Sequence, residues 1–298
     1  MEKFFIISLF VGLGAVFKRF KSFPEQTPQV LNMVALYAAL PAVILLKIPT
    51  LHFSREMVIP ATIPWLMLII SVLLVLWGEK VFRWSKEASA VLLLVVPIGN
   101  TAFMGVPMVT AFFGEAGIPH LIVYDQLGTM LIFAVYGSVV LSIYSNRSKL
   151  KFRQIVIKSI LFPPTLALIV GLAMHSRQYP ELIAVLLNNL SGILTPLVMI
   201  AIGFQLKIRL SPGVICPLLF GLAVKLIVAP GVALIGCNLV GITGLSVKVS
   251  IFEAGMPPMV TSGALAIAVG LLPELAAATV STGMVLSFFT LPLLFLIL

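Results

Sequence analysis

Two long apolar stretches of this chain are interrupted by the same four residues, Pro-Met-Val-Thr: residues 99–110 read GNTAFMGVPMVT and residues 253–263 read EAGMPPMVTSG. A proline inside a helix removes one backbone hydrogen bond and presses on the carbonyl four residues earlier. In hydrocarbon the freed groups are tolerated only where protein, a water-filled cavity or a ligand satisfies them. The pattern therefore predicts two membrane helices broken at matching places, the arrangement with which transporters build sites near mid-membrane. Pro107 and Pro258 are 151 residues apart in a chain of 298, close to half its length, as an ancient duplication leaves them.

Hydrophobic residues make up 60% of the chain and charged residues 10%, and the mean hydropathy is +1.18. Such values lie far outside the range of soluble domains. Reading for about 20 apolar residues between charge clusters places ten spans near 3–18, 28–46, 60–82, 88–113, 117–144, 153–174, 180–206, 214–238, 243–272 and 274–297. No run of ten polar residues separates them, so the expectation is an all-α membrane protein with a single transporter domain over 1–298. Its solvent partner is membrane lipid.

The net charge of +9 does not point to nucleic acid, because that footprint needs a basic face on a soluble surface. The charges follow the positive-inside rule instead. With both termini outside, the inner loops carry Lys18, Arg19, Lys21, Lys80, Arg83, Lys86, Arg147, Lys149, Lys151, Arg153, Lys207 and Arg209, with Lys158 close by. The outer side carries Lys3, Lys47, Arg55 and Arg177, a ratio of 12 to 4. The expected location is the cell membrane, plasma or inner, crossed many times. The first span precedes its basic cluster and lacks a small-residue cleavage pattern after it, so it is expected to remain as a helix. Cys216 and Cys237 fit no metal-ligand spacing and are expected to be free core residues.

The most polar connection, Ser145 to Arg153, divides five spans from five. An odd number per half inverts the second half, which predicts a five-plus-five inverted repeat of residues 1–146 and 147–298. ALYAALPAVILL at 35–46 then has its counterpart in GILTPLVMIAIG at 192–203.

A broken helix exposes amide N–H groups at the start of one half and carbonyl oxygens at the end of the other, a positive pole for an anion and a ligand set for a cation. Pro97, Pro107, Pro257 and Pro258 mark the breaks in the fourth and ninth spans, and Gly99, Gly105 and Gly255 flank them. Asn100, Thr101 and Thr110 surround the first break, and Glu253, Thr261 and Ser262 the second. The expected anion site lies between Asn100 and Pro258, with Thr101, Pro107, Thr110, Pro257 and Thr261 as further lining.

Glu253 stands in an otherwise apolar span, where an isolated carboxylate costs several kcal/mol or holds a proton. It is either a cation site or proton carrier, or it makes a structural ion pair or a hydrogen bond to a neighbouring helix. Asp125, the one aspartate of the chain, serves transport or anchors an interface. Lys225, near the middle of the eighth span, needs a carboxylate, a set of carbonyls or an anionic substrate, and Glu253, Asp125 and a ligand are all open as its partner. Lys248 sits nearer a helix end, where its stem can snorkel to the headgroups. His52, His120 and His175 fall in or beside outer loops, and Trp65, Trp77 and Trp84 fit an interfacial belt.

Three stretches together resemble the auxin efflux carrier family of bacterial and plant membrane transporters: YAALPAVILL (37–46), GNTAFMGVPMVTAFFGEAG (99–117) followed by YDQLG (124–128), and EAGMPPMV (253–260). The resemblance spans essentially the whole chain. It implies the fold of bile acid sodium symporters, with a scaffold of spans one, two, six and seven and a core of spans three to five and eight to ten. It also implies carriage of a small organic anion such as malate, malonate or an auxin-like acid by elevator movement of the core. In those symporters the ninth-span motif resembles Glu-Thr-Gly-x-Gln-Asn; here Glu253 and Gly255 match, while Pro257 and Pro258 replace the amide pair. The coupling cation is then H+ or Na+ near Glu253, or the membrane potential alone drives transport. No organic cofactor is implied, and assembly as a homodimer is open.

Enzymatic readings fit poorly. An aspartyl intramembrane protease needs two aspartates, and the chain has neither HExxH nor a GxSG with a membrane-buried histidine. A passive anion channel or a membrane receptor with the same broken helices is the alternative to a carrier.

Overall fold

The computed structural model describes residues 2–51, 55–144, 157, 160–175, 177–205 and 212–298. Outside them lie His52, Lys158, Lys207, Arg209 and the connection Ser145 to Arg153 with its basic residues. The described residues are helical: α1 (Glu2–Phe17), α2 (Thr27–Lys47), α3 (Arg55–Phe82), α4 (Lys86–Val95), α5 (Gly105–Phe112), α6 (Glu115–Tyr144), α7 (Pro163–Ala173), α8 (Glu181–Gln205), α9 (Pro212–Val240), α10 (Leu245–Ala254), α11 (Val260–Ala268) and α12 (Pro273–Ile297). Among these, α2, α3, α6, α8, α9 and α12 are long and apolar enough to cross a membrane. Their outward faces carry large apolar side chains such as Leu66, Leu73, Leu182, Leu239 and Leu296, the surface that lipid requires.

The chain groups into two compact units. The first comprises Met1–Arg55, Ala102–Ile122 and Ile157–Leu206. Within it α1 lies against α8 at a contact built on two glycines. A Cβ on Gly14 would run into the backbone of Ile200 and Phe204, and one on Gly203 into the backbone of Val11. Close backbone approach through small residues is how helices associate where lipid offers no hydrophobic drive. On α2, Lys47 pairs with Glu115 at 2.8 Å.

The second unit comprises Glu56–Thr101, Val123–Val156 and Lys207–Leu298. Its centre is formed by two short helices of unusual enclosure. Every residue of α4 from Ala88 to Val95 is buried, and so are eight of the ten residues of α10. A helix apolar on all sides belongs inside a bundle; α4 packs among Val75 of α3, Leu218 and Leu222 of α9, and Leu275 and Ala276 of α12. The turn into α4 is set locally. Arg83 takes a left-handed conformation (φ 52°), and the Ser85 hydroxyl caps α4 by accepting from the Ala88 N–H at 3.2 Å.

Among the described residues three helices contain a widened π turn: Ala35–Ala39 in α2, Asp125–Thr129 in α6 and Val224–Val228 in α9. At each, the next N–H reaches back five residues, as from Leu40 to Ala35, Met130 to Asp125 and Ala229 to Val224. Pro41 and Pro230 account for two of them, because a proline cannot take its own place in the ladder and displaces the carbonyl four residues back. The π turns of α6 and α9 carry Asp125 and Lys225, and both side chains are buried.

The sequence places the interruptions at Pro97, Pro107, Pro257 and Pro258, and in the structure all of these but Pro107 lie outside helices. Helix α4 ends at Val95 and α5 starts at Gly105, so Pro97 lies in the irregular segment and Pro107 in the first turn of α5. A proline there loses nothing, since the first N–H groups of a helix have no intrahelical partner. Pro257 and Pro258 do lie in the irregular segment between α10 and α11.

Candidate functional site

The two irregular segments pair with each other inside the second unit. The Asn100 N–H donates to the Pro257 carbonyl at 2.7 Å, and the Met259 N–H to the Ile98 carbonyl at 2.9 Å. Gly99 and Pro258 thereby face each other in an isolated antiparallel bridge. In such a pair the ladder bonds belong to the residues on either side, so the missing N–H of Pro258 is no loss. Four main-chain groups freed from helices are satisfied without water, as a site inside a bilayer demands. The bridge is clamped by its neighbours. A Cβ on Gly283 of α12 would come within 2.6 Å of Pro258 Cδ and 3.0 Å of Leu222 Cδ2.

Polar side chains collect around this bridge. Asp125 is buried, and each of its oxygens has a donor: the Thr101 hydroxyl at 2.6 Å on Oδ1 and Gln126 Nε2 at 2.7 Å on Oδ2. Glu253, in the last turn of α10, is fully enclosed (0% exposed), and neither of its oxygens has a hydrogen-bond partner among the described residues. The side-chain amide nitrogen of Asn100, 3% exposed, is likewise without an acceptor. Tyr124 of α6 and Ala229 of α9 share one buried cluster with Ile251 and Ala254, which flank Glu253 on α10. Lys225 is seated against the bridge itself, its Nζ 3.1 Å from where a Cβ on Gly99 would stand. Unpaired buried polar atoms are uncommon, and a buried carboxylate more so, because each forfeits its hydration. Two of them beside a main-chain bridge make this the chemically distinctive place in the second unit.

The structure thus brings together Asn100, Thr101, Asp125, Lys225, Glu253, Pro257 and Pro258. Thr261, in the first turn of α11, is exposed, while its neighbour Ser262 is buried and donates to the Met259 carbonyl at 2.8 Å. Pro107 and Thr110 lie on α5, in the first unit, Pro107 buried and Thr110 half-buried. Lys248 is exposed. Sequence reasoning missed Gln126, Tyr124 and the main-chain role of Ile98 and Gly99. The signal for Gln126 was its place beside the one aspartate. The backbone pairing has no side-chain signature at all.

A multi-pass helical chain with lipid-facing flanks and a buried charged centre is the build of a membrane transporter. Comparison with known proteins agrees: residues 1–295 match the family described as membrane transport protein. The chain is 29% identical over 290 residues to an uncharacterized transporter of Methanocaldococcus jannaschii, covering 92% of this chain and 90% of that one. A second uncharacterized transporter, from Methanothermobacter thermautotrophicus, is 26% identical over 296 residues, 96% of this chain and 94% of its own. The chain belongs to the membrane transport protein family, which is the auxin efflux carrier family that its three motifs resemble.

Proposed function

We propose that this protein is a secondary active carrier for a small organic carboxylate, which it binds beside the bridge of Gly99 and Pro258. In this reading α4 with α5, and α10 with α11, are the two interrupted spans of a ten-span inverted repeat, and both termini face outward at the cell membrane. The spans built from α1, α2, α7 and α8 act as scaffold, and the remaining spans move as an elevator. Asn100 supplies a side-chain donor to the carboxylate. Thr101, Pro257 and Thr261 shape the site, and Glu253 with Asp125 and Lys225 sets its charge.

The observation that carries the reading is the buried Asn100 amide nitrogen, without an acceptor among the described residues, adjoining a bridge held by two main-chain hydrogen bonds. An orphaned donor at membrane depth is costly unless a ligand uses it, and a carboxylate is the strongest acceptor for it. The test is thermal stabilisation of purified protein by malate, malonate and indole-3-acetate. Wild type gains stability with at least one of them, since a ligand that binds only the folded state raises its melting temperature. Asn100→Ala, still folded, needs about tenfold more ligand for the same gain, the loss of one hydrogen bond to a charged group. Equal affinity in both proteins contradicts the role of Asn100.

A further inference from the structure

We infer that Trp65 is a positioning residue of the carrier: with Pro64 beside it, Trp65 clamps the π turn of α6 in the register that holds Asp125 against Thr101, next to the main-chain bridge. The inference rests on the carrier reading above and deepens it by naming what keeps the acidic side of the site in place.

The π turn of α6 needs a cause of its own. Pro41 and Pro230 account for the turns of α2 and α9, but α6 has no proline from Asp125 to Tyr144. What stands against this turn instead is α3. The indole N–H of Trp65 donates to the carbonyl of Leu127, the middle residue of Asp125–Thr129, at 3.0 Å. The next residue, Gly128, has no side chain, and the ring of Pro64 fills that space: a Cβ on Gly128 would run into Cβ and Cγ of the proline. Two adjacent residues of α3 thus grip two adjacent residues of the π turn, one by a hydrogen bond and one by close packing. A side chain that inserts into the i→i−4 ladder is one of the few causes of a local break in a helix. Trp65 is 37% exposed, as an interfacial tryptophan is, yet it uses its one donor inside the protein. Trp77, on the same helix and 55% exposed, makes a ring contact with Phe220 of α9 instead.

The register decides where Asp125 stands. A π turn holds one residue more than an α turn, so relaxing it to regular helix rotates the residues before it by about 100° against those after it. The part after it is fixed, since Val140 and Leu141 are buried in the cluster around α4. The rotation would therefore fall on Asp125. Its carboxylate would leave the Thr101 hydroxyl, 2.6 Å away, and both buried groups would lose a partner. Thr101 follows Asn100, whose N–H makes one of the two bonds of the bridge. A chain of direct contacts thus runs from Trp65 to Leu127, through the π turn to Asp125, and on to Thr101 and the bridge.

The experiment compares wild type, Trp65→Phe, Thr101→Val and the double variant, first by thermal unfolding in detergent without ligand. In the Trp65→Phe background, Thr101→Val is expected to lower the melting temperature by less than about half of its effect in wild type, because the bond it removes is already loosened there. Trp77→Phe is the control and leaves the effect of Thr101→Val whole. The same proteins are then assayed for uptake of labelled malonate, malate and indole-3-acetate into proteoliposomes. Trp65→Phe is expected to raise KM about fivefold with a maximal rate near that of wild type, and the double variant to have a KM no higher than Thr101→Val alone. Melting shifts that add, or KM factors that multiply, would mean that Trp65 only packs, and would overturn the inference with the carrier reading intact. If wild type takes up none of the three carboxylates, the carrier reading fails, and the melting comparison still decides whether Trp65 positions Asp125. Should Trp65→Phe not fold, a tryptophan analogue with sulfur in place of the indole N–H at position 65 keeps the ring and makes the same comparison.

Discussion

The hydroxyl of Thr101 donates to Asp125 Oδ1 across 2.6 Å, tying the irregular segment after α4 to the π turn of α6. Replacing that donor leaves a buried carboxylate oxygen unpaired, because Gln126 reaches the other oxygen. Thr101→Val, equal in shape, is expected to destabilise the protein by about 2 kcal/mol and to slow carboxylate uptake, while Thr101→Ser keeps both near wild type. Thermal unfolding in detergent with uptake in proteoliposomes checks this; a Val variant as stable and active as wild type contradicts it.

Glu253→Gln keeps the volume of the side chain and removes its charge. If Glu253 couples a driving cation to the anion, wild-type uptake is expected to respond to external pH, whereas the variant still binds carboxylate but no longer accumulates it against a gradient and loses that response. Unchanged pH and sodium dependence would remove Glu253 from coupling.

At Gly99 an alanine would place its methyl 3.1 Å from Lys225 Nζ, tighter than ordinary contact. The lysine tip yields more readily than backbone does, so Gly99→Ala folds, and its carboxylate affinity falls by about threefold to tenfold as the ammonium is pushed aside. At Gly283 the obstacle is the ring of Pro258 at 2.6 Å, which has nowhere to go. Gly283→Ala is expected to cost about 1–3 kcal/mol in stability. Melting and ligand titration of the two variants separate the effects.

The pairing of α1 with α8 gives a control away from the polar cluster. Gly203→Val drives two methyl groups toward the Val11 carbonyl and is expected to lower stability by about 3 kcal/mol or more. Circular dichroism melts measure it; a variant as stable as wild type would mean that the contact is loose.

The long helices were legible because lipid leaves few choices: a run of about 20 apolar residues has no alternative to a helix. The interruption beyond Val95 was legible only approximately. Pro97 and Gly99, both marked by the sequence, stand where the backbone leaves the helix, whereas Pro107, in the repeated string, sits in the first turn of a helix, where a proline fits. Glu253 and Lys225 announced themselves as charges in apolar spans, but their common neighbourhood required the fold, since they are 28 positions apart on two different helices. Asp125 read equally well as an interfacial anchor; its burial and its two donors follow from the π turn, which no residue type signals without a proline nearby. The hydrogen bonds from Asn100 to Pro257 and from Met259 to Ile98 are main chain to main chain, so side-chain chemistry could not reveal them.

Counterflow is the most direct test of the carrier reading. Proteoliposomes loaded with unlabelled malate, malonate or indole-3-acetate are diluted into the same labelled compound without any ion gradient. A carrier gives transient accumulation of label inside, which needs about tenfold more substrate when Asn100 is replaced by Ala; label that only equilibrates, accompanied by unitary currents, would identify a pore and contradict the account.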